Sequence, residues 1–185
     1  MSTLKVGTIQ DHANSTTAMT IDSSGRILTP ARPAFRVEKR ASPQDVTSGT
    51  NTKVNFEHNL FDIGSNIGTS DKFTAPIAGV YHFEAMVRTQ VTGGDDDDSV
   101  ISTQGIYLYK NASLITYLNQ QRLYRNSLGS VKVHFGQSNV AGSATLLLAA
   151  SDEIEVYANI TAGTGVQIGN SADGSVTFFS GFLIG

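Results

Sequence analysis

The chain has 185 residues, a formal net charge of −3, only 16% charged residues, 18 glycines and no cysteine. That length accommodates one well-buried domain with a short extension but not two full domains, and the missing cysteines remove disulfides, thiol catalysis and thiolate metal sites together. The slight acidity argues against the basic stripe of a nucleic-acid-binding surface; no apolar run is long enough to span a bilayer, and the N-terminus lacks the basic-then-apolar order of a secretory signal.

In chain order, Leu4-Lys5-Val6-Gly7-Thr8-Ile9-Gln10 alternates like a short strand. Met19 to Leu28 then reads as two strands around the polar, glycine-containing turn Asp22-Ser23-Ser24-Gly25. So small a hairpin has too few large apolar residues to be stable alone and needs partners, either its own copies or a docking protein. Thr29-Pro30-Ala31-Arg32-Pro33 breaks the chain like a linker, which divides it into an N-terminal segment, residues 1–33, and a head, residues 34–185.

The head is a succession of short alternating runs. Pro33 to Val37 and Lys53 to Phe56 are two of them, and Lys72 to Val87 is the most informative. There Pro76 fixes φ and removes a backbone donor, and Gly79 permits the reversal. A strand starting at Val80 places Tyr81, Phe83, Ala85 and Val87 on one face and His82, Glu84 and Arg88 on the other, the period-two signature of a half-buried strand. Gly105 to Asn111, Val131 to Phe135, Glu153 to Ile160 and Thr177 to Ile184 continue the pattern. Leu146 to Ala150 alone resembles the start of a helix, and it flows into the alternating run at Glu153. The fold class is all-β, a sandwich or barrel.

The segment Phe73-Thr74-Ala75-Pro76-Ile77-Ala78-Gly79-Val80-Tyr81-His82-Phe83 resembles the FTAP-x-x-G-x-Y-x-F element of the complement C1q-like globular-head family, the jelly-roll relatives of tumour necrosis factor. Pro33 to Val37, Lys53 to Phe56 with Asn59 and Phe61-Asp62, Gly105 to Asn111, Ala144 to Val156 and Thr177 to Ile184 are similar to further elements of that family in the same order. One departure stands at Ala149-Ala150-Ser151, where the family has a glycine before the aspartate. The resemblance implies a C1q/TNF-like jelly-roll sandwich over residues 34–185 that assembles as a homotrimer. Residues 2–10 and 20–30, joined by a polar stretch, resemble the N-terminal segments of tail-fibre and other virion-appendage proteins of tailed, particularly marine, bacteriophages.

The search for chemistry assigns no catalytic, cofactor-binding or metal-ligating residue. His12, His58, His82 and His134 lack metal-ligand spacing and read as solvated. Gly163 to Gly169 has the wrong spacing for a dinucleotide loop and reads as a connection between strands. Neither a G-x-S-x-G elbow nor a P-loop occurs. Asp95-Asp96-Asp97-Asp98 lacks the spaced ligands of an EF-hand and reads as a solvated loop rather than a Ca²⁺ site. Asn14, Asn111 and Asn159 head glycosylation-type triplets of a kind common by chance. Phe73, Tyr81, Phe83, Tyr107, Tyr109, Tyr157, Phe178, Phe179 and Phe182 read as core or subunit-interface material.

These readings lead to a non-enzymatic virion protein: a trimeric tail fibre or appendage whose head contacts a host cell-surface polysaccharide or protein and whose N-terminal segment docks on other virion proteins. The polar stretches Thr92 to Val100, Gln121 to Ser130 and Thr161 to Ser175 are the expected contact loops. A head fibre, decoration or joining protein with a purely structural role is the alternative, and a small capsule-degrading enzyme the third class. No cofactor, nucleic-acid partner or membrane insertion is expected.

Overall fold

The computed structural model describes residues 4–69, 71–92, 101–123, 137–163 and 165–185, and every helix or strand among them is a β-strand. The N-terminal strands β1 (Thr8–Gln10), β2 (Thr17–Ile21) and β3 (Ile27–Leu28) form a separate antiparallel sheet in that order. The head follows with β4 (Ala34–Glu38), β5 (Gln44–Val46), β6 (Thr52–Lys53), β7 (His58–Ile63), β8 (Phe73–Thr74), β9 (Gly79–Val91), β10 (Ile101–Lys110), β11 (Ser113–Arg122), β12 (Gln137–Leu148), β13 (Glu153–Ala162), β14 (Val166–Ile168) and β15 (Phe178–Leu183).

Two antiparallel sheets make the sandwich. Strand β9 is the spine of the larger one: β12 pairs along one side of it, while β15, β4 and β7 extend from the other, with β14 and β5 continuing beside its far end. The smaller sheet runs β11-β10-β13-β6, and β8 also pairs with β13. The expected alternation on β9 is what orients the larger sheet. Tyr81, Phe83, Ala85 and Val87 are fully buried, whereas Glu84 is exposed and His82 and Arg88 are partly so.

The core is built on aromatic contacts between inward positions of both sheets. Phe35 stacks on Phe73 at 5.0 Å between ring centroids and meets Phe179 edge-on at 4.9 Å. Phe83 lies 5.5 Å from Phe73 and 5.8 Å from Phe179. Gly181 makes this packing possible, because a side-chain carbon there would run into the Phe83 and Phe35 rings. Tyr81 satisfies its buried hydroxyl by donating to the Ile77 carbonyl at 2.9 Å, so the turn at Pro76 supplies the acceptor that the strand needs. Burial of each such ring contributes about 1.5–3 kcal/mol.

Some expectations change in detail. The run from Lys53 leaves strand geometry after that residue, yet Val54 and Phe56 stay buried because Val54 donates to the Val156 carbonyl at 2.9 Å and Phe56 to the Asp71 carboxylate at 3.0 Å. The first N-terminal strand is shorter than its alternation, beginning at Thr8. Val131 to Phe135 lies outside the described residues. Where the family pattern has glycine, Ser151 adopts a left-handed φ of 70°, so the tight turn persists with a strained residue in it.

Candidate functional site

Strand registers give the head two distinct ends. Pro33, Ile184 and Gly185 share one of them: Leu183 donates to the Pro33 carbonyl at 3.0 Å, Val80 donates to Gly185 at 2.8 Å, and the Arg32 guanidinium donates to the Ile184 carbonyl. The N-terminal segment therefore leaves from the end where β9 begins. Strands β9, β11 and β13 all finish at the opposite end, so the stretches from Thr92, Gln121 and Thr161 start there together. Of these, Thr92, residues 121–123 and most of 161–175 are described, and Asp95 to Asp98 lie outside the described residues. Thr92 donates to the Gly165 carbonyl at 2.9 Å and Leu123 to Ser102 at 2.9 Å, which ties the roots of these connections to one another and to β10. The third stretch turns back: it includes β14, and Ser171 reaches the Lys39 carbonyl at 3.4 Å beside β4.

Beneath the roots lies a buried polar network that sequence reasoning missed. The Thr89 hydroxyl donates to Gln104 Oε1, and Gln104 Nε2 donates to Gln121 Oε1 at 2.8 Å and to Ser138 Oγ at 2.9 Å. Thr89 and Gln104 are fully buried. The four residues come from β9, β10, β11 and β12, so the network joins both sheets at the loop end. Its signal in the sequence is a polar residue at an inward position: Thr89 continues the inward register of Tyr81 to Val87, and Gln104 that of Ile106 and Leu108.

The outward face of the larger sheet is the second feature. Its rows follow from the pairing: Thr145, His82, Phe182, Ala34 and Ile63 in one, Ser143, Glu84, Ser180, Arg36 and Phe61 in the next, and Ala141, Met86, Phe178 and Glu38 in a third. Phe182 is 49% and Phe61 45% exposed. His82 lies 5.4 Å from the Phe182 ring, and its Nδ1 is 3.1 Å from the Thr145 hydroxyl. Glu38 is buried although it points outward. Arg36 Nε donates to one of its carboxylate oxygens at 2.6 Å and Arg40 Nη2 to the other at 2.6 Å, while the Arg36 guanidinium also covers the Phe178 ring at 3.9 Å. Burial alone would raise the Glu38 carboxyl, but the two arginines together pull it below the ordinary carboxylate value.

Both lateral edges of this face carry exposed apolar groups. On β7 they are Leu60, Phe61 and Ile63; on β12 it is Leu147, 76% exposed, with Leu114 and Ile115 on the adjoining β11. Strands β11 and β12 meet because Gly142 has no side chain to strike the Leu118 carbonyl, and Asn119 Nδ2 donates across the gap to Ala141 at 2.8 Å. The aromatic residues thus divide into three groups. Phe73, Tyr81, Phe83 and Phe179 form the core, Phe178 and Phe182 belong to the outward face of the larger sheet, and Tyr107, Tyr109 and Tyr157 turn outward on the smaller one. Tyr109 stacks on Tyr157 at 4.0 Å and Tyr107 meets Tyr117 edge-on at 4.9 Å. Parity explains the last group, since Ile106 and Leu108 take the inward positions of β10.

Among the described residues no three His, Asp or Glu side chains gather where they could hold a metal ion, and no helix is long and apolar enough to cross a membrane. Residues 163 and 165 connect β13 to β14 as expected of an interstrand connection, while Val166 to Ile168 is itself a strand.

No protein-family model and no curated protein sequence matches the chain. Among solved structures, the Eiger TNF of S. frugiperda is similar over 84% of this chain and 94% of that one, with a TM-score of 0.55 and 16% identity. Murine APRIL is similar over 83% of this chain and 99% of that one, at 0.52 and 13%. The globular domain of zebrafish complement 1qA is similar over 83% and 98%, at 0.46 and 18%. With the two-sheet topology, the first two likenesses establish the TNF-like jelly-roll fold that the sequence resemblance implies.

Proposed function

We propose that this chain is a non-enzymatic bacteriophage virion protein, a tail fibre or similar appendage, whose head assembles as a homotrimer and meets the host surface with its loop end. The observation that carries the assembly is the pair of exposed apolar edges on opposite sides of the head, Phe61 and Ile63 at β7 and Leu147 of β12 with Ile115 of the adjoining β11. A cyclic oligomer needs two different patches that meet around the ring, and a closed ring leaves neither exposed. The jelly-roll fold supports threefold closure, as the family resemblance implies.

The polarity of the head supports the rest of the reading. Connections rooted at Thr92, Gln121 and Thr161 start at the end opposite the linker, so a particle holding residues 1–33 would present them outward. Three copies on one stalk act together at high effective concentration, and weak individual contacts with a cell-surface polysaccharide or protein then suffice.

Sedimentation velocity on the full chain is expected to give the mass of three copies, and Phe61→Asp that of one. Antibodies against the head are expected to label appendage tips on intact particles and to block adsorption. A single-copy mass for the unaltered chain removes the assembly claim, and label on the capsid shell with normal adsorption replaces host contact by the decoration or joining role.

A further inference from the structure

The N-terminal sheet has one apolar face that no described residue buries. Register places Ile9 opposite Met19 and Ile21 opposite Ile27, and Met19 and Ile21 are two apart on β2, so all four side chains share one side. The other side carries Thr8, Thr20 and a single Leu28. No residue from 4 to 32 is buried, and Ile27 is 65% exposed. A sheet of three short strands with an uncovered apolar face is unstable in water until that face is covered.

We propose that two further copies of the same sheet cover it. The Ile9, Met19, Ile21 and Ile27 faces of three chains then meet on the head's threefold axis as a three-sided apolar stalk. Two features of the molecule favour this occupant over a foreign protein. First, the face is uncharged, so identical copies can meet without placing like charges opposite one another. The nearest ion pair, Asp22 with Arg26 at 2.6 Å, is closed on itself in the turn around Gly25, where Asp22 also accepts the Arg26 backbone N–H at 2.9 Å. Second, Arg32 and Pro33 tie the linker to Ile184 and Leu183, so a head trimer brings three N-terminal sheets out at one end, each a few residues from its own head. That tether holds the faces at an effective concentration of about a millimolar, above any partner free in solution.

This inference rests on the trimeric head, and the test separates the two. Because the chain has no cysteine, Met19→Cys introduces a unique thiol for a pyrene label. The full-length labelled protein is expected to sediment as three copies and to show strong excimer emission, and adding Ile21→Asp and Ile27→Asp is expected to abolish the excimer while the three-copy mass persists. Three copies with only monomer fluorescence overturn the stalk and leave the head trimer standing. A single-copy mass overturns both.

Discussion

The head and the N-terminal sheet are built from the same period-two alternation, yet only the head converts it into burial. On β9 the inward residues Tyr81 to Val87 meet a second sheet and lose all exposure, whereas Ile9, Ile21 and Ile27 on the N-terminal sheet meet no second layer among the described residues and remain exposed. Alternation therefore specifies which face is apolar, and a second layer decides whether that face stabilises anything. The expected consequence is a chain with one independently cooperative unit and one conditional unit.

The largest expected effect breaks the head alone. Phe83→Ala removes a ring in contact with Phe73, Phe179 and Phe35 and should destabilise the head by about 3–5 kcal/mol. His82→Ala, one residue away on the outward face, should cost far less. Ile21→Ala should leave the denaturation midpoint of the head where it was. A midpoint shift from Ile21→Ala comparable to that from Phe83→Ala would erase the distinction between the two regions.

A smaller effect sharpens the same contrast inside the core. Gln104→Leu leaves the Thr89 hydroxyl without its glutamine acceptor and strips Gln121 and Ser138 of their shared donor, a change expected to cost about 1–3 kcal/mol. Replacing Thr89 by Val in the same chain should restore part of the loss, because an apolar pair of similar shape leaves fewer groups unsatisfied. If the double variant is less stable than the sum of the two single ones, the network is not the unit described above.

Much of this was legible in the sequence, and the reasons differ by element. The strand after Pro76 could be read because proline and glycine mark its start and four inward positions in succession are apolar. The outward row of β12, Asn139, Ala141, Ser143, Thr145 and Leu147, mixes small, polar and apolar residues, and nothing local says that it forms an edge beside β11. Thr89 and Gln104 were missed because each looks like an ordinary polar strand residue until the fold brings them together. Glu38 is the sharpest failure of local reasoning. Parity puts it outside, but residues around Gly174 fold over it, so close that a side-chain carbon at that glycine would strike the Glu38 carboxylate. The convergence of three connections at one end depends on strand direction through the whole sandwich, which no single run of residues encodes.

Acid should unfold the head through a carboxylate held at the turn between β12 and β13. Lys110 Nζ and Asn111 Nδ2, each at 2.8 Å, together with the Ala149 N–H at 2.9 Å, hold the Asp152 carboxyl at about 2. Because that value lies below the ordinary carboxylate range, the stabilisation is fully present above about pH 4 and disappears as pH falls towards 2. Asp152→Asn should accordingly lower the midpoint at pH 7 and converge with the unaltered chain near pH 2. Parallel stability curves for the two proteins across that range would show that Asp152 holds its turn by shape rather than charge.

The smallest effect tests the turn where the sequence departs from the pattern it otherwise resembles. Ser151 and Ser15 both hold left-handed backbone, with φ of 70° and 53°, a conformation that costs a residue with a side chain about 1–2 kcal/mol and glycine almost nothing. Ser151 sits in the turn between β12 and β13, where its N–H donates to the Ala75 carbonyl at 2.8 Å and where Asp152 anchors the strand that follows. Relief of strain there acts on the cooperative unit, so Ser151→Gly should raise the head's midpoint by the equivalent of up to about 1 kcal/mol, the extra freedom of glycine in the unfolded chain offsetting the remainder. Ser15→Gly relieves similar strain in a turn attached to no buried core and should leave that midpoint unchanged. Calorimetry distinguishes the outcomes: equal shifts from the two substitutions would mean that the N-terminal sheet melts together with the head, and the conditional unit would then have to be counted as part of the cooperative one.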